Sequence, residues 1–144
     1  MEENDNWWTS PAESEEGRLI MVTGRRNVDK FRNNPRFCIR VEISWPYHGD
    51  SSGMPDEPTS ILMETVQDAL ESAFKKDPVA ILTGVYTGAG ERNWVFYTLS
   101  THIFGKKVNE ALAQFDLLPI TIYSENDPNW AEYDEMCAAE VKFD

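Results

Sequence analysis

The sequence predicts an α+β two-layer sandwich: a mainly antiparallel sheet with two helices on one face, in the order β-β-α-β-β-α-β-α. Three observations carry this expectation. Residues 37–45 alternate apolar and polar with period two, residues 59–76 repeat apolar positions at helical spacing, and two β-prone runs flank a short connection containing Gly88 and Gly90.

Taken in order, "RLIMVTGR" (18–25) is apolar and β-prone and suits a first strand. The polar stretch that follows reads as a turn or one short helical turn. In "FCIRVEISW" Phe37, Ile39, Val41, Ile43 and Trp45 share one face, and Cys38, Arg40, Glu42 and Ser44 the other. "PYHGDSSGMPDEP" (46–58), with three prolines and two glycines, is a long loop. It leads to a helix with Thr59 and Ser60 as N-cap candidates, Leu62, Val66, Ala69, Leu70, Ala73 and Phe74 turned inward, and Lys75 and Lys76 favourably placed at the C-terminal dipole. "PVAILTGVYT" (78–87) and "NWVFYTLS" (93–100) are strands joined by a hairpin. A second helix aligns Val108, Ala111, Leu112 and Phe115, and a short strand at 120–124 follows. The last element is a short acidic helix capped by Asp127, with Trp130, Tyr133 and Cys137 directed inward. From the second strand onward this order contains βαββαβ, the ferredoxin-like arrangement. Its strand 37–45 would be central, so the extra strand 18–25 and the last strand compete as its neighbours.

At 144 residues the chain fits a single domain, residues 1–144, able to bury roughly 70% of its unfolded surface. The hydrophobic share of 41% argues against disorder of the whole chain despite a net charge of -12. That charge is uneven. A leading acidic, Trp-bearing segment (1–17) carries six acids and no base, the C-terminal segment (125–144) carries seven acids against Lys142, and the core between them (18–124) is neutral with 12 of each sign. Arg18, Arg25, Arg26, Lys30, Arg32, Arg36 and Arg40 crowd one early stretch. Two arrangements fit: acidic ends folded back over the bases, or acidic ends simply solvated. A chain this acidic is a poor match for a nucleic-acid backbone. No window of about 18 apolar residues provides a membrane span, the first residues lack the pattern of a secretory signal, and two cysteines without metal-ligand spacing fit reduced thiols in a cytoplasm.

Candidate chemistry is sparse. "HGDSSG" (48–53) superficially resembles a serine-protease motif, but the chain lacks the elbow and the length that such chemistry uses, and a polar loop of turn formers explains the residues better. The 46–58 loop still offers Tyr47, His48 and Asp50, with Asp56 at its end, to a ligand or partner. Arg92 and Trp94 lie just past the hairpin, and Trp130 near the C-terminus. No metal site and no cofactor is expected, because no EF-hand or paired-histidine pattern occurs. "TGAGERNW" (87–94) has the glycines of a phosphate loop, but a strand rather than a helix follows it, which points to a β-turn.

The segments "NWWTSPAESEEGRLIMVTGRR", "RVEISWPYHGDSSGMPD", "GVYTGAGERNWVFYT" and "ENDPNWAEYDEM" together resemble the bacterial family catalogued as domain of unknown function 695, over nearly the whole chain. The resemblance implies a small cytoplasmic protein with no established activity, cofactor or catalytic set. Some relatives of that family look linked to acidic regulators of a ribonuclease, an analogy that favours binding over catalysis.

Two functions are therefore expected. The first is a non-enzymatic binding or regulatory module whose acidic surfaces engage a protein partner with a basic surface. The second is a small-molecule-binding or hydrolytic enzyme with its site between the 46–58 loop and the 88–92 hairpin. A structural subunit of a homo-oligomer is a third, compatible reading.

Overall fold

The computed structural model describes residues 7–140. Six strands form one sheet in the order β1-β2-β4-β5-β3-β6, every neighbouring pair antiparallel. They are β1 (Trp7–Glu13), β2 (Leu19–Arg25), β3 (Ile39–Pro46), β4 (Ala80–Gly88), β5 (Glu91–Thr98) and β6 (Thr121–Asn126). The helices are α1 (Asp29–Arg32), α2 (Glu57–Lys76), α3 (Thr101–Leu112) and α4 (Ala131–Ala138).

Strands β6-β3-β5-β4 with α2 and α3 constitute the ferredoxin-like core. The competition for β3 resolves cleanly: β6 pairs beside it through Ile43↔Ile122, and β2 joins the far edge against β4 through Val22↔Tyr86. The sequence reading missed β1. Its central Pro11 and alternating polar residues argue against an interior strand, yet a proline is tolerated where one backbone edge is free. Trp8 of β1 lies over β2, where a side chain at Gly24 would come within 2.4 Å of its indole.

Strand bounds shift by one to two residues, and two helix starts also move. The α2 cap is Asp56 rather than Thr59 or Ser60: its carboxylate accepts the Thr59 N–H at 2.9 Å, with Pro58 in the first turn where its missing N–H is harmless. The terminal helix begins at Ala131, and Asp127 still accepts the N–H groups of Ala131 and Glu132 at 2.9 and 3.1 Å.

One face of the sheet carries Val41, Ile43, Trp45, Trp94 and Phe96 beneath Val66, Leu70 and Phe74 of α2 and Phe104 and Val108 of α3. The other face carries Trp8, Val22, Val95 and Tyr97, closed by Trp130, Tyr133 and Met136 at α4. The acidic C-terminal segment therefore folds back. Arg32 holds Asp134 through two contacts of 2.8 Å, Arg26 pairs with Glu140, and Arg40 holds Glu125 at 2.6 Å. Of the leading acids, Glu2, Glu3 and Asp5 lie outside the described residues.

Candidate functional site

Because the strands alternate in direction, three connections emerge at one end of the sheet: the β1–β2 turn, the β3–α2 loop and the β4–β5 turn. The β4–β5 turn is Ala89–Gly90, with φ of 54° and 82°, closed by the pair Gly88↔Glu91. Positive φ at both central residues matches the right-handed twist of the flanking strands, so the glycines serve the turn, as the sequence order requires. The long loop seals onto it. Gly90 N–H donates to the Gly53 carbonyl at 3.0 Å, and Tyr47 N–H donates to the Gly90 carbonyl at 2.9 Å. A side chain at Gly53 would meet both Ala89 and the Arg18 guanidinium at 2.9 Å, so the β1–β2 turn touches the same loop.

This end gathers Glu13, Glu15 and Glu16 from the first turn, Asp50, Asp56 and Glu57 from the loop and helix start, and Glu91 from the hairpin, with Arg18 as the exposed base among them. Two of the acids are committed locally. Asp50 accepts from Ser52 Oγ at 2.6 Å and from the N–H groups of Ser52 and Met54, which hold its carboxyl below the usual range. Asp56 is held low in the same way by Thr59. His48 is exposed beside them.

The remaining predicted residues separate. Arg92 is largely buried under α2, donating to Thr87 Oγ1 at 2.9 Å and to Glu64 at 3.3 Å. It stands near Tyr47, whose hydroxyl donates to the Gly53 carbonyl; burial raises the Tyr47 pKa while Arg92 opposes that rise. Trp94 is fully buried and donates to Gln67 at 2.9 Å. Trp130 is fully buried on the opposite face, donating to the Phe37 carbonyl at 2.8 Å. The structure thus joins Tyr47, Arg92 and Trp94 along α2, leaves His48 and Asp50 on the exposed loop, and places Trp130 apart.

One feature the sequence reading did not reach is a polar stripe on α2. Glu64, Gln67 and Glu71, at spacings of three and four, reach polar groups of the sheet: Gln67 and Glu71 are half-buried, while Glu64 bonds Arg92 from a largely exposed position. Glu71 accepts from Arg25 at 2.8 Å, while Arg25 also donates to the Leu82 carbonyl at 2.7 Å and lies 4.4 Å over the Trp7 ring. Two hollows of about 590 and 250 Å³ flank this network; the larger has a floor of Phe74, Leu82 and Phe96 and a rim of Asp68, Ser72 and Lys75. The available signal was the i, i+3, i+7 polar pattern beside the apolar one, which amphipathic reasoning assigns to solvent.

A third polar group lies by α4. Burial pushes the Glu132 carboxyl up, against the pull of Arg40, while Tyr86 donates its hydroxyl to it at 3.3 Å. Since the folded-state pKa exceeds the unfolded one, the ionised carboxylate opposes folding above that value. Glu132→Gln, which keeps an acceptor for Tyr86, should raise the Tm near neutral pH. That advantage should shrink as pH falls through the raised value toward the ordinary carboxylate range. Asp134 and Glu125 have the opposite sign: Arg32 and Arg40 hold them low, so their contribution is present above the usual range and is lost as pH falls through the lowered values. Thermal melts of both chains across acidic and neutral pH check this; no gain for Glu132→Gln at neutral pH contradicts it.

Among the described residues no three His, Cys, Asp or Glu side chains are grouped to hold a metal ion, and no helix is long and apolar enough to cross a membrane. Cys38 and Cys137 are free and half-buried. The fold defines an α+β protein with a ferredoxin-like core, lengthened by one hairpin and backed by a C-terminal helix. The chain belongs to the family of unknown function DUF695, whose model matches residues 5–136. No curated protein and no solved structure matches it.

Proposed function

We propose that this protein is a small cytoplasmic, non-enzymatic binding or regulatory module that engages the basic surface of a protein partner through the acidic end of its sheet. The observation that supports this reading is the segregation of charge. Seven acids stand around three mutually packed turns, whereas Arg26, Lys30, Arg32 and Arg36 stand at the opposite end and are partly matched by the returning C-terminal acids. Like charges held close together by backbone hydrogen bonds focus a field that speeds encounter with a basic surface and weakens with salt. Because Glu125, Asp134 and Glu140 are consumed internally, the first turn carries the main free charge.

Capture from lysate with the wild-type chain is expected to retain a partner at low salt and to lose most of it at about 0.5 M salt, where screening reaches within a few ångströms. Charge reversal at Glu13, Glu15 and Glu16 to Lys should abolish retention without lowering the Tm, since the three side chains are exposed. Retention that is indifferent to both changes counts against the proposal.

A small-molecule site is the second reading, and the observation favouring it lies along α2 rather than at the loop and hairpin. The 590 Å³ hollow is within the usual size of ligand sites and combines an aromatic floor with a charged rim. A thermal-shift screen of small amphipathic molecules in which none raises the Tm would weigh against it.

A further inference from the structure

Among the described residues the sheet ends in two edge strands of different character. On β1, Pro11 removes a backbone donor near the middle of the strand, and Glu13 adds charge, two common ways of blocking edge-to-edge pairing. Strand β6 has neither proline nor lysine, and all six of its residues are exposed. Ile122 and Tyr123 are 48% and 55% exposed, and Leu117, shortly before the strand, is fully exposed. An unpaired strand edge flanked by exposed apolar side chains is a template for a further strand.

We infer that the occupant of the β6 edge is a second copy of this chain, joined by antiparallel β6–β6 pairing into a twelve-stranded sheet. The charge on the strand selects this occupant. Its one ionised residue, Glu125, shares Arg40 (2.6 Å) with Glu42 of β3 (3.1 Å) and accepts from the Tyr123 hydroxyl at 2.9 Å, so the group carries one net negative charge at most and offers little to a strongly basic or an acidic peptide. The acids of the β1–β2 turn stand at the opposite edge of the sheet, where they least oppose association of two like-charged molecules.

Register follows from the pleat. Opposed residues must share a face, so a two-fold pair is centred on a residue. Centring on Ile122 places Ile122 against Ile122 of the second copy and Thr121 against Tyr123. Apolar and β-branched residues then meet across the two-fold axis, and Glu125 never opposes itself.

Light scattering on the full chain at about 100 μM, far above the Kd of a micromolar dimer, is expected to give twice the 16.5 kDa of one chain. Ile122→Lys should return the mass to a single chain, and Thr9→Lys, on the other edge strand, should leave the dimer intact. Circular dichroism checks that both variants fold. Ile122→Cys supplies a route that leaves the edge apolar. The opposed Cα atoms of an antiparallel pair fall within disulfide reach, so oxidation should link 122 to 122 in a peptide map. A monomeric wild type, a dimer unaffected by Ile122→Lys, or absence of the 122–122 link overturns the inference.

Discussion

Replacing Trp130 by alanine is expected to cost about 3–5 kcal/mol, the range for removing a buried aromatic, and to lower the Tm by about 10 °C or more. Trp130 has no exposed surface. Its ring stacks on Tyr97 with centroids 4.0 Å apart and meets Tyr133 edge-on at 5.6 Å. Its indole N–H satisfies the Phe37 carbonyl, tying the approach to α4 to the segment that enters β3. Deleting the ring leaves that acceptor without its partner and opens a void between the sheet and α4. Trp130→Phe should retain much of the stacking and lose mainly the hydrogen bond, worth about 1 kcal/mol net. Urea unfolding of the three chains measures this. A loss below about 1 kcal/mol for Trp130→Ala would mean that α4 contributes little to the fold.

Gly88→Ala is the second large effect, with an expected loss of about 3 kcal/mol from backbone strain and overpacking. At φ 153° a side chain is disfavoured, and the added Cβ would lie 2.3 Å from the Leu19 carbonyl oxygen and 2.9 Å from Ile20 Cα. These are backbone atoms of the strand paired beside it, so they cannot swing away as a side-chain tip does. Relief requires parting β2 from β4, and hydrogen exchange at residues 19–25 should accelerate together with the drop in stability. Gly90→Ala is the informative contrast. Its φ is 82°, but the nearest atom to an added Cβ is the Tyr47 carbonyl oxygen at 3.5 Å, so only the conformational cost of about 1 kcal/mol applies. Equal losses at the two positions would show that turn conformation, not the approach of β2, governs this hairpin.

The two variants probe parts of the molecule that were unequally legible. The β3 alternation from Ile39 to Trp45, the α2 helix and the hairpin glycines are local signals, each decided by neighbours a few residues away; Phe37, by contrast, precedes β3 and packs on the opposite face, and on α2 Met63 is buried while Leu62 is exposed. Strand β1 was hidden because its stability comes from pairing with β2 and from Trp8 over Gly24, not from the propensity of seven residues that include a proline. The α2 cap moved to Asp56 because several adjacent residues can cap, and packing of Met63, Val66, Leu70 and Phe74 selects the register that one of them must complete.

The candidate site follows the same division. Arg92 stood out as a charge beside a turn; Thr87 is its partner across the β4–β5 hairpin, but Glu64 lies 28 residues away, and only the lie of α2 across the sheet brings it to Arg92. Arg25 stands in the sequence only as one member of a basic run, and its partner Glu71 lies 46 residues away. The acidic excess at the chain ends was plain from composition. Which acids remain free was not, because that depends on Arg26, Arg32 and Arg40 meeting Glu140, Asp134 and Glu125 across roughly 85 to 114 residues of chain.

By itself, then, the sequence determined the α+β class, the βαββαβ core and the acid-rich ends, since periodicity, turn chemistry and charge are properties of short stretches. The tertiary structure alone decided that β2 extends the β4 edge while β6 keeps β3, that α4 covers the second face, and that three turns share one acidic end while β6 stays open. Those outcomes depend on which distant surfaces bury the most apolar area together, a comparison between whole arrangements that no local pattern encodes.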